Sequence, residues 1–133
     1  MTVLIDTSVL SLALLRRKKM PEPPIVAQFR GMLENGEHVV LTGVVLQEVL
    51  AGPRDAKVAA ALARDLEAFS LLQPDRRDHE AAAELHRTAR AKGITAGTID
   101  CLIATIAVRH RAALLTTDND FVLLAPLCGL TLA

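Results

Sequence analysis

Short β-branched and apolar runs alternate along this chain with stretches of helical periodicity, and that alternation points to a parallel sheet flanked by helices. The class is therefore α/β. Thr2 to Asp6 reads as a first buried strand, because a strand covered on both faces is a continuous apolar run. Thr7 or Ser8 can cap a helix that continues through Leu10, Leu14 and Leu15 to near Lys19. Residues 20–24, with three prolines, read as a loop, and a helix follows with Val26, Phe29 and Leu33 on one face. Asn35-Gly36 marks a turn, Val39 to Leu41 a short strand, and Val44 to about Leu50 a helix that Gly52-Pro53 stops. Val58, Leu62, Leu66 and Phe69 recur at helical spacing, Leu71-Leu72 reads as a small strand, and Ala82, Leu85 and Ala89 mark another helix. After the glycines at 93 and 97, Ile99, Leu102, Ile103, Ile106 and Ala107 trace one buried helical stripe. Ala113 to Thr116 reads as a strand, Asp118 to Leu123 as a helical turn, and Leu130 to Leu132 as a closing edge strand.

A chain of 133 residues can bury one core unaided, so residues 1–133 are expected to form a single domain. No apolar run approaches the roughly 18 residues that a membrane span needs. The apolar start has no basic leader before it and carries Asp6 inside it, which argues against a signal peptide and for a cytoplasmic protein. Cys101 and Cys128 lack metal-ligand spacing and read as small buried thiols. With 15 basic and 15 acidic residues the net charge is zero, so any contact with nucleic acid must be local rather than by bulk charge. Arg16, Arg17, Lys18 and Lys19 form the one basic run, which by itself reads as solvated surface.

The acids are informative through their placement. Ligands of an open parallel sheet gather outside the carboxyl ends of its strands. Asp6 ends the first strand and Asp118 follows the strand at 113–116, while Asp100 and Glu48 lie on helices in largely apolar company. Taken singly, Asp100 and Asp118 suit a helix cap or first turn and Glu48 can face solvent. Four converging carboxylates, however, would repel and take up protons unless a cation neutralised them. Oxygen-only ligation calls for a hard cation, Mg²⁺ or Mn²⁺, and His38, His79, His86 and His110 are too scattered for a zinc site.

Four segments, LIDTSVL, LQEVLAG, DCLIATIAVRH and LLTTDNDF, occur in the order in which PIN domains carry their acidic motifs. The chain resembles PIN-domain ribonucleases, and more narrowly the VapC-type toxins of toxin–antitoxin pairs. The resemblance implies a three-layer sandwich with a mostly parallel sheet of four or five strands. It also implies that Asp6, Glu48, Asp100 and Asp118 form the catalytic, metal-holding cluster, with Asp120 a further candidate ligand. Thr7 and Thr116 would position water or phosphate, or else serve only as capping and strand-end hydroxyls. Arg16 and Arg17 would line the substrate path.

The chemistry implied is metal-dependent endoribonucleolytic hydrolysis of RNA, without a covalent intermediate. The partners implied are the RNA substrate and a VapB-like antitoxin whose tail blocks the site. Separately, 51% hydrophobic content with only 2% aromatic residues leaves helix faces around Val44 to Leu50 or Val58 to Leu66 to pack in a homodimer. A haloacid-dehalogenase-like phosphatase also begins with an Asp after its first strand but needs another Asp two residues on, where Ser8 stands. Neither GxxxxGK nor GxGxxG is present. The remaining rival is a catalytically silent PIN-like module that binds RNA or protein.

Overall fold

The computed structural model describes residues 1–15 and 21–133. The elements run β1 (Thr2–Ile5), α1 (Thr7–Leu15), α2 (Pro24–Glu34), β2 (His38–Thr42), α3 (Gly43–Ala51), α4 (Ala56–Leu66), β3 (Ser70–Leu72), α5 (Arg76–Ala91), α6 (Thr98–Arg109), β4 (Ala113–Leu115), α7 (Asp120–Cys128) and β5 (Thr131–Leu132). The five strands form one sheet in the order β3-β2-β1-β4-β5, and every pairing is parallel. The α/β expectation holds, with five strands. Val3, Leu4, Ile5, Val40, Leu41 and Leu114 are fully buried, as strands covered on both faces require.

Helix α1 packs on α2 and α3, α3 on α4, and α5 on α6 and α7. Right-handed crossovers along this strand order put α1 to α4 on one face of the sheet and α5 to α7 on the other. Two helices from opposite faces therefore begin side by side, α1 after β1 and α7 after β4. No described helix is long and apolar enough to cross a membrane.

Several boundaries differ from those read in the sequence. Pro24 belongs to α2 and not to the preceding loop, since its fixed φ and missing N–H suit the first helical turn. Helix α4 stops at Leu66, and Phe69 lies beyond it, edge to face with Phe29 at a centroid distance of 6.3 Å. Ile99 is 45% exposed although it fits the apolar stripe, because it sits on the first turn of α6, ahead of the buried run from Cys101 to Ala104. The last helix starts at Asp120 rather than Asp118 and continues to Cys128 with Pro126 in its final turn. The expected extension of α1 to Lys19, and the basic run with Arg16 and Arg17, lie outside the described residues.

One ion pair ties α5 to α6. The Asp78 side chain is 1% exposed, closes a capping box with Asp75, and accepts a 2.5 Å hydrogen bond from Arg109. Arg109 also meets Asp75 at 3.2 Å, where the Asp78 N–H at the helix start holds the Asp75 carboxyl below its usual range.

Candidate metal centre

The place where chains leave neighbouring strands for opposite faces is the crevice in which ligands of open parallel sheets collect. Here it lies between β1 and β4. Asp6 follows β1 at that point: its N–H donates to the Leu115 carbonyl at 3.0 Å, and its own carbonyl accepts the first N–H groups of α1, from Val9 and Leu10. These bonds fix the backbone of Asp6 from both sides.

The side chains form a connected network. Asp6 Oδ2 accepts hydrogen bonds from Ser8 Oγ and Thr116 Oγ1, each at 2.8 Å. Thr116 Oγ1 in turn accepts from the Asp118 N–H at 3.0 Å, and Asp118 Oδ1 accepts from the Asp120 N–H at 2.9 Å. Ser8 Oγ accepts the Thr117 N–H at 3.1 Å, which ties the start of α1 to the loop after β4. Local side-chain-to-backbone bonds of this kind hold the loop in a turn and delay α7 by two residues.

Across from this loop, Asp100 projects from the first turn of α6. Carboxylate oxygens of Asp100, Asp118 and Asp120 lie within 4.8 Å of one another, and Asp100 and Asp120 are half-buried. The Asp100 carboxyl is pushed up from 3.8 to about 6, first by burial and then by the charges of Asp118, Asp6 and Asp120. Four acids therefore share one electrostatic environment. Beside them, Thr7 Oγ1 is buried with no hydrogen-bond partner among the described residues, a state that costs about 1–3 kcal/mol unless something meets it. Crowded hard oxygen donors and a raised affinity for a proton are what a divalent cation would satisfy.

Of the residues singled out in the sequence, Asp6, Asp100, Asp118 and Thr116 meet here, and Asp120 joins them as a full member of the trio. Glu48 is exposed on α3 and stands outside that trio. Ser8 was overlooked as a site residue. Its signal was a hydroxyl two positions after an acid at a strand-to-helix junction, where the side chain can reach back to the carboxylate.

The family model of the PIN domain matches residues 3–125. The chain belongs to the PIN domain family. The matched span of this PIN domain contains Asp6, Glu48, Asp100, Asp118 and Asp120. Ribonuclease VapC11 of Mycobacterium tuberculosis is 34% identical over 106 residues, which cover 78% of this PIN domain chain and 79% of that protein. A VapC ribonuclease of Mycobacterium bovis matches to the same extent. Among solved structures, FitAcB from Neisseria gonorrhoeae is similar with a TM-score of 0.74 and 23% identity, over 98% of this chain and 95% of that one. DNA-bound VapBC from Salmonella typhimurium gives a TM-score of 0.78 at 15% identity, over 100% and 97% of the two chains.

Proposed function

We propose that this PIN domain is the toxin of a toxin–antitoxin pair and an endoribonuclease that uses Mg²⁺ or Mn²⁺ to hydrolyse RNA phosphodiester bonds. The observation that carries this is the carboxylate trio within 4.8 Å, shared with Asp6 at the crevice between β1 and β4. Its kinship with VapC ribonucleases supplies the substrate class. Asp100, Asp118 and Asp120 would hold the cation, with Asp6 beside them and Glu48 completing the acidic set from α3. When bound, such an ion lowers the pKa of water and offsets charge that develops on the phosphate.

The chain's own residues supply orientation. Ser8 and Thr116 occupy the lone pairs of Asp6 Oδ2 and leave its other oxygen free to act, and Thr116 and Asp118 set the turn that aims Asp120. Without a metal, the crowded acids would repel an incoming phosphate. The partners proposed are a VapB-like antitoxin, since solved structures of similar fold are toxin–antitoxin complexes, and a second copy of the chain. The whole of residues 1–133 is read as one domain.

Purified protein incubated with total cellular RNA tests this reading. The expected result is cleavage with Mg²⁺ or Mn²⁺, none with EDTA, and recovery on adding the metal back. A folded protein that binds RNA and cuts none of it under any of these conditions is the silent module instead.

The raised Asp100 carboxyl gives a pH dependence with a definite sign. Above about 6 the group is charged and available to a cation, and below it a proton must first be displaced. Apparent metal affinity should fall about tenfold for each pH unit below that value, read by titration calorimetry. In the metal-free protein the folded state binds more protons than the unfolded one between 3.8 and about 6, so stability decreases as pH rises through that window. A metal affinity that stays flat from about one pH unit below that value to about one above it contradicts the assignment of Asp100.

A further inference from the structure

A second cleft opens on the same edge of the sheet as the acids. Leu4 pairs with Val40 and Ile5 with Leu115, so continuing the registers places Thr42 and Thr116 level with Asp6 on either side of it. Thr42 pairs in turn with Leu72, which puts Gln73 just beyond the end of β3. Parallel strands lie about 4.8 Å apart, so the ends of β2 and β3 are one and two such steps from Asp6. Over these ends is a cleft of about 280 Å³ that Thr42 and Gln73 help to line. Its walls are Val44, Pro74, Leu102 and Ile106, and Gln47 is the other carboxamide that lines it.

The chemistry of this cleft is specific. No charged side chain lines it, which disfavours a phosphate. Gln47 and Gln73 are both exposed and neither has a hydrogen-bond partner among the described residues, so each amide, with two donors and an acceptor, is open to a ligand in exchange for water. The Gln73 carboxamide oxygen lies 4.0 Å from where a Cβ on Gly43 would stand, so it reaches across the cleft to the start of α3. Apolar walls with two carboxamides among the lining residues suit a flat, uncharged heterocycle with polar edges, and a single-stranded base splayed from its neighbours is one. The volume is just below the roughly 300 Å³ at which pockets for drug-sized ligands begin, which is right for one base.

We propose that this cleft is a nucleobase subsite, which takes one unpaired base of the RNA strand beside the scissile phosphate and reads its edge through Gln47 and Gln73. The subsite rests on the ribonuclease reading for its place in catalysis, but its occupancy can be measured without cleavage.

The test has two arms. In the first, the full chain with Mg²⁺ cleaves a pool of RNA oligonucleotides randomised around a fixed centre, and the product ends are sequenced. Wild-type protein should prefer particular bases at one position next to the cut, and Gln47→Leu and Gln73→Leu should each reduce that discrimination about tenfold. In the second arm, the four nucleoside 5′-monophosphates are titrated into metal-free protein while the glutamine side-chain amide resonances are followed. The favoured nucleotide should shift the Gln73 resonance, the Gln47→Leu variant should bind it about tenfold more weakly, and inorganic phosphate should leave the resonance in place.

Cleavage with a preference that neither variant alters overturns the subsite and leaves the ribonuclease reading intact. Base binding at the glutamines without cleavage of any RNA keeps the subsite and overturns the ribonuclease reading. No shift with any of the four nucleotides overturns the subsite whatever the first arm shows.

Discussion

Asp100→Asn is expected to lower metal-supported RNA cleavage on the order of 10³-fold and to leave the fold intact, as circular dichroism would show. The size is comparable to the loss of one strong electrostatic group from a preorganised site. The substitution preserves shape and removes one of four mutually repelling charges, the one whose carboxyl is raised to about 6. A charge that the folded state tolerates poorly is being deleted, so the metal-free variant should melt at or above the wild-type temperature near neutral pH. Added Mg²⁺ separates a ligand from a merely crowded acid. Wild-type protein at a metal concentration 100 times its Kd gains about 2.7 kcal/mol, and the variant should lose most of that gain. If the variant cleaves within tenfold of wild type and keeps its stabilisation by metal, Asp100 holds no ion.

How much of this was legible beforehand depended on whether a feature is written in local pattern or in tertiary approach. The strands were plain because burial on both faces forces continuous apolar runs, as at Val3-Leu4-Ile5 and Ala113-Leu114-Leu115. Asp6 and Asp118 were found because each follows a buried strand at the edge where ligands of a parallel sheet gather, although Asp118 taken singly also suits a helix cap. Asp120 was underrated for a physical reason. An acid two residues after another reads as a cap, and only the hydrogen bond from its N–H to Asp118 Oδ1 makes the turn that carries its own carboxylate to Asp100. Ser8 escaped because its value lies in two contacts with the loop after β4, more than 100 residues on. Ile99 shows the converse limit. Helical periodicity names a face of the helix and cannot tell where along it the covering elements end.

The largest stability effect is expected at Phe121, for Phe121→Ala. Its ring is fully buried and is among the largest such side chains, and it immediately follows Asp120 at the start of α7. Truncation to alanine should destabilise the protein by about 3–5 kcal/mol, counting lost burial and the cavity left behind. Against a typical total of roughly 5–15 kcal/mol this is a large fraction. It would appear as a lowered urea midpoint with an unchanged slope. Phe121→Leu, which keeps most of the volume, should cost less than about 1.5 kcal/mol if the neighbours repack. Activity should follow the same order if the buried ring anchors the turn, since Phe121 follows Asp120 directly and its N–H bonds the Asp118 carbonyl at 3.3 Å. A folded Phe121→Ala protein, assayed well below its melting temperature, should therefore bind Mg²⁺ more weakly than wild type, and Phe121→Leu should recover most of the affinity. If the alanine variant is destabilised yet binds metal with wild-type affinity, the hydrogen bonds of Thr116 and Asp118 suffice to hold the acids, and the ring serves the core alone.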